Sequence, residues 1–268
     1  MVNEDLKTLL VEQKLLKSNF LKRTVTVDFY LPKNIHPSEL SLLLINDGQD
    51  LSKMPFDEML DQLIDSNGIK PVVCIGIHAG ADRKNEYGTA NVLDFAGRGA
   101  KAKAYNQFIL GELLPYIHTT YCVDQFEQKA FAGFSLGGLT ALDMTWNYPE
   151  VFSVAGIFSG SLWWRTKSLD DDYNEETDRI MNQQIKEGSY HPGQRFFFTT
   201  GSLDETDDRN NNGIIDSIDD TMSLIEELNK HGYISEYEVK YMNFEDGKHD
   251  VATWGRAMPY FLLWAFSK

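Results

Sequence analysis

Apolar and polar residues alternate along RTVTVDFYLP (23–32), the two-residue period of a strand with one buried face. The segment TLLVEQKLL (8–16) just before it is placed to be its antiparallel partner. The rhythm then changes to short apolar runs: SLLLIND (41–47), PVVCIGI (71–77), KAFAGF (129–134), VAGIFSG (154–160) and RFFFTTG (195–201). Most end in small or acidic residues, as parallel strands buried on both faces do. Helical spacing appears between them. In YNQFILGELLPYI the set Tyr105, Phe108, Ile109, Leu113 and Tyr116 forms one stripe, with Pro115 expected to kink its later part. Ile218, Met222, Ile225 and Leu228 form another stripe, and Val251, Trp254, Met258, Phe261 and Leu262 a third. Strands alternating with helices predict an α/β fold with right-handed crossovers and a mostly parallel central sheet covered by helices on both faces, preceded by the N-terminal antiparallel hairpin. No repeat or linker interrupts the pattern, so residues 1–268 are read as a single domain.

Composition narrows the partners. The 268 residues are 42% hydrophobic, enough for a large core, and carry a formal charge of -15. Such acidity argues against nucleic acid or an anionic membrane surface as partner. Glu4 and Asp5 stand where a secretion signal would be basic, so the N-terminus reads as mature protein. No apolar run is long enough to cross a bilayer, and two cysteines, Cys74 and Cys122, make no disulfide framework. The expectation is a soluble, cytoplasmic protein whose oligomeric state the sequence leaves open.

Candidate chemistry centres on KAFAGFSLGGLTALDMTW, where Ser135 lies between Gly133 and Gly137, after a strand-like run and before a helix-like one. That context fits a nucleophile elbow, in which small neighbours let the backbone turn sharply enough to expose the hydroxyl. A serine hydroxyl needs a histidine to deprotonate it and a carboxylate to orient that histidine. Of the histidines that follow, His191 precedes a strand and His231 sits at a helix end beside Gly232. His249, in FEDGKHDVATW between the last strand and the last helix, is the candidate base. The strand FFFTTG runs into Ser-Leu-Asp-Glu, offering Asp204 as the acid with Glu205 as its alternative. The oxyanion of a tetrahedral intermediate requires two donors, and the backbone N–H groups of Leu136 and Gln49, the latter from LLLINDGQDL, are the candidates.

Taken together these segments resemble the esterase family of α/β hydrolases that includes enterochelin-type siderophore esterases, feruloyl and acetyl-xylan esterases, S-formylglutathione hydrolases and mycolyltransferases. Its carriers here are INDGQD, GFSLGG, FSGSLWW, TTGSLDE and GKHDVATW, spread over nearly the whole chain. The resemblance implies an α/β-hydrolase fold and a Ser135, Asp204, His249 triad with Gln49 and Leu136 as oxyanion donors. It further implies a small-molecule ester substrate (siderophore, acetyl or feruloyl) and no cofactor for the chemistry. Acyl transfer by the same triad, or a catalytically silent binding protein, are the alternatives.

Two further segments carry expectations. The stretch RKNEYGTANVLDFAGRGAKA (83–102) reads as a loop bordering the pocket, its Arg83, Arg98 and Lys101 expected to be solvated or paired with acids such as Glu86 and Asp94. From the aromatic run that follows Ser161, Trp164 and Arg165 are the candidate pocket residues. Finally, DDRNNNGIIDSIDDT places Asp208, Asn210, Asn212, Ile214, Asp216 and Asp219 at positions one, three, five, seven, nine and twelve of a calcium loop, with Gly213 at position six. A structural Ca2+ there would brace the loop that begins at Asp204. Aspartate at position twelve, in place of a bidentate glutamate, and the absence of an entering helix depart from that pattern.

Overall fold

The computed structural model describes residues 6–33 and 39–268; Glu4 and Asp5 lie outside the described residues. Its centre is an eight-stranded sheet built from β1 (Leu9–Ser18), β2 (Arg23–Pro32), β3 (Ser41–Asn46), β4 (Val72–Ile77), β5 (Lys129–Phe134), β6 (Val154–Phe158), β7 (Arg195–Leu203) and β8 (Val239–Lys248). The spatial order is β1-β2-β4-β3-β5-β6-β7-β8. β1 and β2 form the antiparallel hairpin, in register from Leu9 opposite Pro32 to Ser18 opposite Arg23. β2 joins β4 antiparallel, and every later pairing is parallel. Between the strands lie α1 (Phe56–Asp65), α2 (Arg83–Glu86), α3 (Ala102–Phe108), α4 (Leu114–Tyr121), α5 (Leu136–Asn147), α6 (Glu175–Asp178), α7 (Ile180–Lys186) and α8 (Asp216–His231). α9 (Val251–Phe266) closes the chain.

The continuous apolar runs make sense once the two faces are separated. Successive strand residues point to opposite sides, so Leu42, Leu44, Phe131, Phe196 and Phe198 join a core under α3, α4, α5, α7 and α8. Leu43, Ile45, Ala130, Ala132 and Phe197 join a second core under α1 and α9. Both faces are therefore dry, and alternation survives only at the hairpin end, where β1 has a largely exposed face. Cys74 is buried in β4 and Cys122 is exposed; both are free.

Two helical segments depart from simple periodicity. A π turn at Ile109–Leu113 joins α3 to α4, so the irregularity lies just before Pro115, whose ring has no N–H to donate to that turn. The inward face of α8 is also rotated from the apolar stripe. Asp220, Thr221, Leu224, Ile225 and Leu228 are buried, whereas Met222 is 39% exposed. The cause is ionic. Asp220 is drawn inside by Arg179 at 2.8 Å and by Arg209, which also holds Glu175 at 2.6 Å and Asp216 at 3.2 Å.

Candidate active site

All the candidate side chains lie at the carboxyl ends of the parallel strands. Ser135 links β5 to α5 with φ 55° and ψ -121°, a conformation that L residues rarely adopt. The turn is held by bonds to its own backbone. The Ser135 N–H donates to the Phe158 carbonyl at 2.9 Å, and the Ser135 carbonyl accepts from Gly138 at 3.0 Å and from Ser161 at 3.1 Å. The flanking glycines are required by space. A Cβ on Gly133 would stand 2.3 Å from the Gly137 carbonyl oxygen, and one on Gly137 would stand 2.8 Å from Asp47 Oδ2. The elbow is thus a close crossing of β5, α5 and the end of β3.

The end of β3 reinforces that crossing. Asn46 Nδ2 donates to the Gly137 carbonyl at 2.8 Å, and Asn46 Oδ1 accepts from the Tyr105 hydroxyl at 2.5 Å. The next residue, Asp47, is bound two-point by Arg83, Nε to Oδ1 and Nη2 to Oδ2 both at 2.7 Å. Its backbone N–H accompanies them, donating to the Tyr87 hydroxyl at 3.2 Å. Gln49 follows in a 3-10 turn (Gly48–Lys53), and its side-chain Oε1 accepts from the Ala79 N–H at 2.9 Å. Leu136 opens α5 and Gln49 is the second residue of its 3-10 turn, positions whose N–H groups have no acceptor earlier in the helix.

The acid and the base come from the other end of the sheet. A register shift between Gly201 and Leu203 in β7 bends the strand toward Asp204, whose N–H returns to the Gly201 carbonyl at 3.1 Å. Both Asp204 carboxylate oxygens are shut off from water with no hydrogen-bond partner among the described residues. His249 sits between β8 and α9, edge-on to Trp254 at 5.2 Å between ring centroids. Although its ring keeps contact with water, the surrounding protein lowers the imidazole's affinity for a proton, opposed by Asp204 and assisted by Arg83. Asp204 and Arg83 thus bring their charges to bear on the same ring. No hydrogen bond joins Ser135 Oγ, His249 and the Asp204 carboxylate among the described residues, and Ser135 Oγ instead faces Ser161 Oγ at 3.3 Å.

Sequence reasoning assigned Ser161, Asn46 and Tyr105 no contact around the candidate nucleophile, because only the folded chain brings a residue 26 positions away against Ser135. The pairing expected of Arg83 is met by Asp47. Of the loop cations, Arg98 pairs with Asp94 and Lys101 with Asp82, while Glu86 is taken by Arg23. A cavity of about 610 Å³ is lined by residues that include Phe95, Arg98, Trp163, Arg165, Glu205 and Arg209; Glu205, next in the chain to Asp204, links it to the candidate acid, while Ser135, Asp204 and His249 are not among its lining residues. Arg165 is on its wall, but Trp164 is fully buried, pressed beneath Gly88 and Gly99, and Trp163 takes the place expected for it. Glu205 turns into the cavity, and burial pushes its carboxyl upward.

A family model described as "Putative esterase" matches residues 18–265. The chain belongs to this esterase family. The iron(III) salmochelin esterase of Escherichia coli O6:H1 is 28% identical over 187 residues, 66% of this chain and 42% of that protein. The chain spans less than two thirds of the length of the curated relatives it matches. Among solved structures, a ferulic acid esterase superposes with a TM-score of 0.71 at 17% identity, covering 97% of this chain and 98% of its own. The enterobactin esterase from Shigella flexneri superposes with a TM-score of 0.71 at 20% identity, covering 94% and 58%. At these identities the structural likeness establishes the α/β-hydrolase fold.

The loop at 208–219 is wound as a chain of side-chain caps. Asp208 accepts from the N–H groups of Asn212 at 3.1 Å and Gly213 at 2.9 Å, and Asn212 Oδ1 accepts from Ile214 at 2.8 Å. Asp219 receives the Asn210 amide at 2.9 Å. Asp216 points away, to Arg209. Among the described residues no group of three or more His, Cys, Asp or Glu side chains is placed to hold a metal ion.

Proposed function

We propose that this chain is a serine carboxylesterase with Ser135 as nucleophile, His249 as general base and Asp204 as the acid that orients it. The observation that carries the reading is the Ser135 backbone, φ 55° on a strand-to-helix elbow, in a member of an esterase family. Ser135 Oγ attacks the ester carbonyl while its proton passes to His249. The N–H groups of Gln49 and Leu136 receive the oxyanion, and its collapse expels the alcohol, which takes the proton from His249. Water, deprotonated by His249, then attacks the acyl-serine, and the acid departs as Ser135 regains its proton. Burial supports the base role, because a histidine with lowered proton affinity stays neutral at physiological pH. The Ser161 hydroxyl competes for Ser135 in the resting state, and substrate displaces that contact as the triad bonds tighten.

The relatives' names, iron(III) salmochelin, enterobactin and ferulic acid esterase, suggest siderophore and feruloyl esters as substrates to try, and the sequence resemblance adds acetyl esters. The deciding experiment is hydrolysis of a short p-nitrophenyl ester, together with labelling by a fluorophosphonate. Wild type should turn over and label at one site, and Ser135→Ala should do neither. Intact wild type that does neither would leave a binding protein on this fold.

The 208–219 loop is the proposed Ca2+ site, with Asp208, Asn210, Asn212, the Ile214 carbonyl and Asp219 supplying hard oxygen ligands. Side-chain bonds linking Asp208, Asn210, Asn212 and Asp219 within the loop support this reading, while Asp216 is engaged by Arg209. Bound calcium would stiffen the segment leading from Asp204. It should raise the thermal midpoint relative to EDTA, and an unchanged midpoint with no heat on titration would remove the site.

A further inference from the structure

Of the cations that line the cavity bordered by Trp163 and Glu205, one has no counter-charge among the described residues. Arg23, Arg83, Arg98, Arg179, Arg209 and Arg256 each hold a carboxylate. Arg165 and Arg195 have none among the described residues, but Arg195 is engaged by the carbonyls of Tyr237, Trp264 and Ala265, whereas Arg165 is not so engaged. Its guanidinium is instead stacked among aromatic rings, 4.9 Å from the centroid of Phe95, 5.7 Å from Tyr173 and 5.8 Å from Trp163. Its Nε is cut off from water with no acceptor, and its Nη1 reaches only the Trp163 carbonyl, at 3.5 Å. A substrate oxygen, no smaller than water, does not reach that Nε, so the donors available to an acceptor in the cavity are those of the Nη1 and Nη2 end. The rings hold the plane of the group still and leave an edge for a two-point contact, the geometry that suits a carboxylate.

From this arrangement we infer that Arg165 is a specificity residue that receives a carboxylate carried by the ester substrate. The inference rests on the esterase reading above, because the cavity wall runs from Trp163, two residues after Ser161, to Glu205, the neighbour of Asp204. Other acids on that wall are engaged: Asp208 caps two N–H groups and Asp216 faces Arg209. Burial favours the neutral form of Glu205, which lessens its repulsion of an anion. Asp207 is left at the solvent side. The substrate class is therefore an ester with a free carboxylate on its acyl or its alcohol part, and with flat or apolar surface to lie against Phe95 and Trp163.

The test uses p-nitrophenyl esters of ω-carboxy acids of increasing chain length, and carboxyphenyl acetates for the alcohol side, each against its uncharged counterpart of matched shape. At the favoured length kcat/KM should exceed that of the neutral ester by about tenfold, the scale of one charge-assisted contact. Arg165→Gln should abolish that preference, read as the ratio of kcat/KM between the charged and neutral members of a pair, and Arg165→Lys should restore part of it. Neutral esters cleaved with no preference for any charged partner, or a preference that survives Arg165→Gln, would overturn the inference. Titration of Ser135→Ala with the same ester pairs, followed by calorimetry, separates the two readings. If the charged member binds tighter and Arg165→Gln in that background abolishes the difference, the carboxylate site stands even where wild type hydrolyses nothing. Equal binding of both members removes it, whatever wild type cleaves.

Discussion

The two halves of the site are built on different principles. On the nucleophile side, Asn46 and Asp47 at the end of β3 and Ser135 after β5 lie at the middle of the sheet, with Tyr105 reaching in from α3, and their polar groups are bound at 2.5 to 3.3 Å. On the acid and base side, Asp204 and His249 hang from β7 and from β8, the edge strand, and both Asp204 oxygens lack a partner. On the roles proposed above, bonded rigidity lies on the side of the nucleophile, and the proposed acid and base are left to be organised when substrate arrives. The difference teaches that rigidity at Ser135 is secured by distant residues, whereas Asp204 and His249 depend on loops.

The sharpest way to break that comparison is at the acid. Asp204→Asn should lower kcat by about 10⁴-fold because the histidine would be held in the wrong tautomer, while Glu205→Gln should stay within a few-fold of wild type. Steady-state kinetics on both variants, with folding checked by circular dichroism, decide the matter; a reversed pattern would move the acid role to Glu205. A smaller but still large effect belongs to the rigid half. Asn46→Leu leaves the Gly137 carbonyl and the Tyr105 hydroxyl without partners, and it should cost about 1–3 kcal/mol in urea unfolding and slow acylation as well. Tyr105→Phe should cost about 1 kcal/mol. If Asn46→Leu unfolds like wild type, the rigidity assigned to this half is wrong.

The pH profile probes the looser half. Since burial lowers the proton affinity of His249, the acid limb of kcat/KM should fall below the ordinary histidine range of about 6.5. Asp204 opposes the lowering and Arg83 assists it, so residual activity of Asp204→Asn should show a limb displaced further down. A limb above the ordinary value would contradict a buried neutral base. The mildest effect lies behind the elbow, at Asp143 of α5. This buried acid accepts from Ala90 N–H at 3.1 Å, Gln184 Nε2 at 3.0 Å and Asn147 Nδ2 at 3.1 Å, and burial pushes its carboxyl from 3.8 up to about 6. Between those values the folded chain binds the proton more tightly than the unfolded one, so this residue's contribution to stability declines as pH rises through the window. Asp143→Asn should flatten that slope in chemical denaturation measured from pH 4 to 7, and an unchanged slope would exclude the linkage.

Much of this was legible in the chain because it is local. The runs at 41–47, 71–77, 129–134, 154–160 and 195–201 became β3 to β7, and the serine between glycines became an elbow with positive φ. Apolar periodicity failed at α8 because it does not register ion pairs, and Asp220 is inside only because Arg179 and Arg209 meet it there. At Trp163 and Trp164 composition is symmetrical, and the choice of which ring enters the core is made by Gly88 and Gly99, more than sixty residues earlier. Ser161 and Asn46 were hidden for the same reason, since their partners come from other elements of the sheet.

The left-handed backbone at Ser135 also bears on how such a protein can change over generations. A non-glycine residue in this region carries strain on the order of 1–3 kcal/mol, which glycine would largely relieve. Replacement by glycine would give a chain that cannot attack an ester yet melts no earlier than its parent, and selection for durability alone would drift toward it. The serine therefore marks a place where persistence of the molecule and persistence of its chemistry pull in opposite directions.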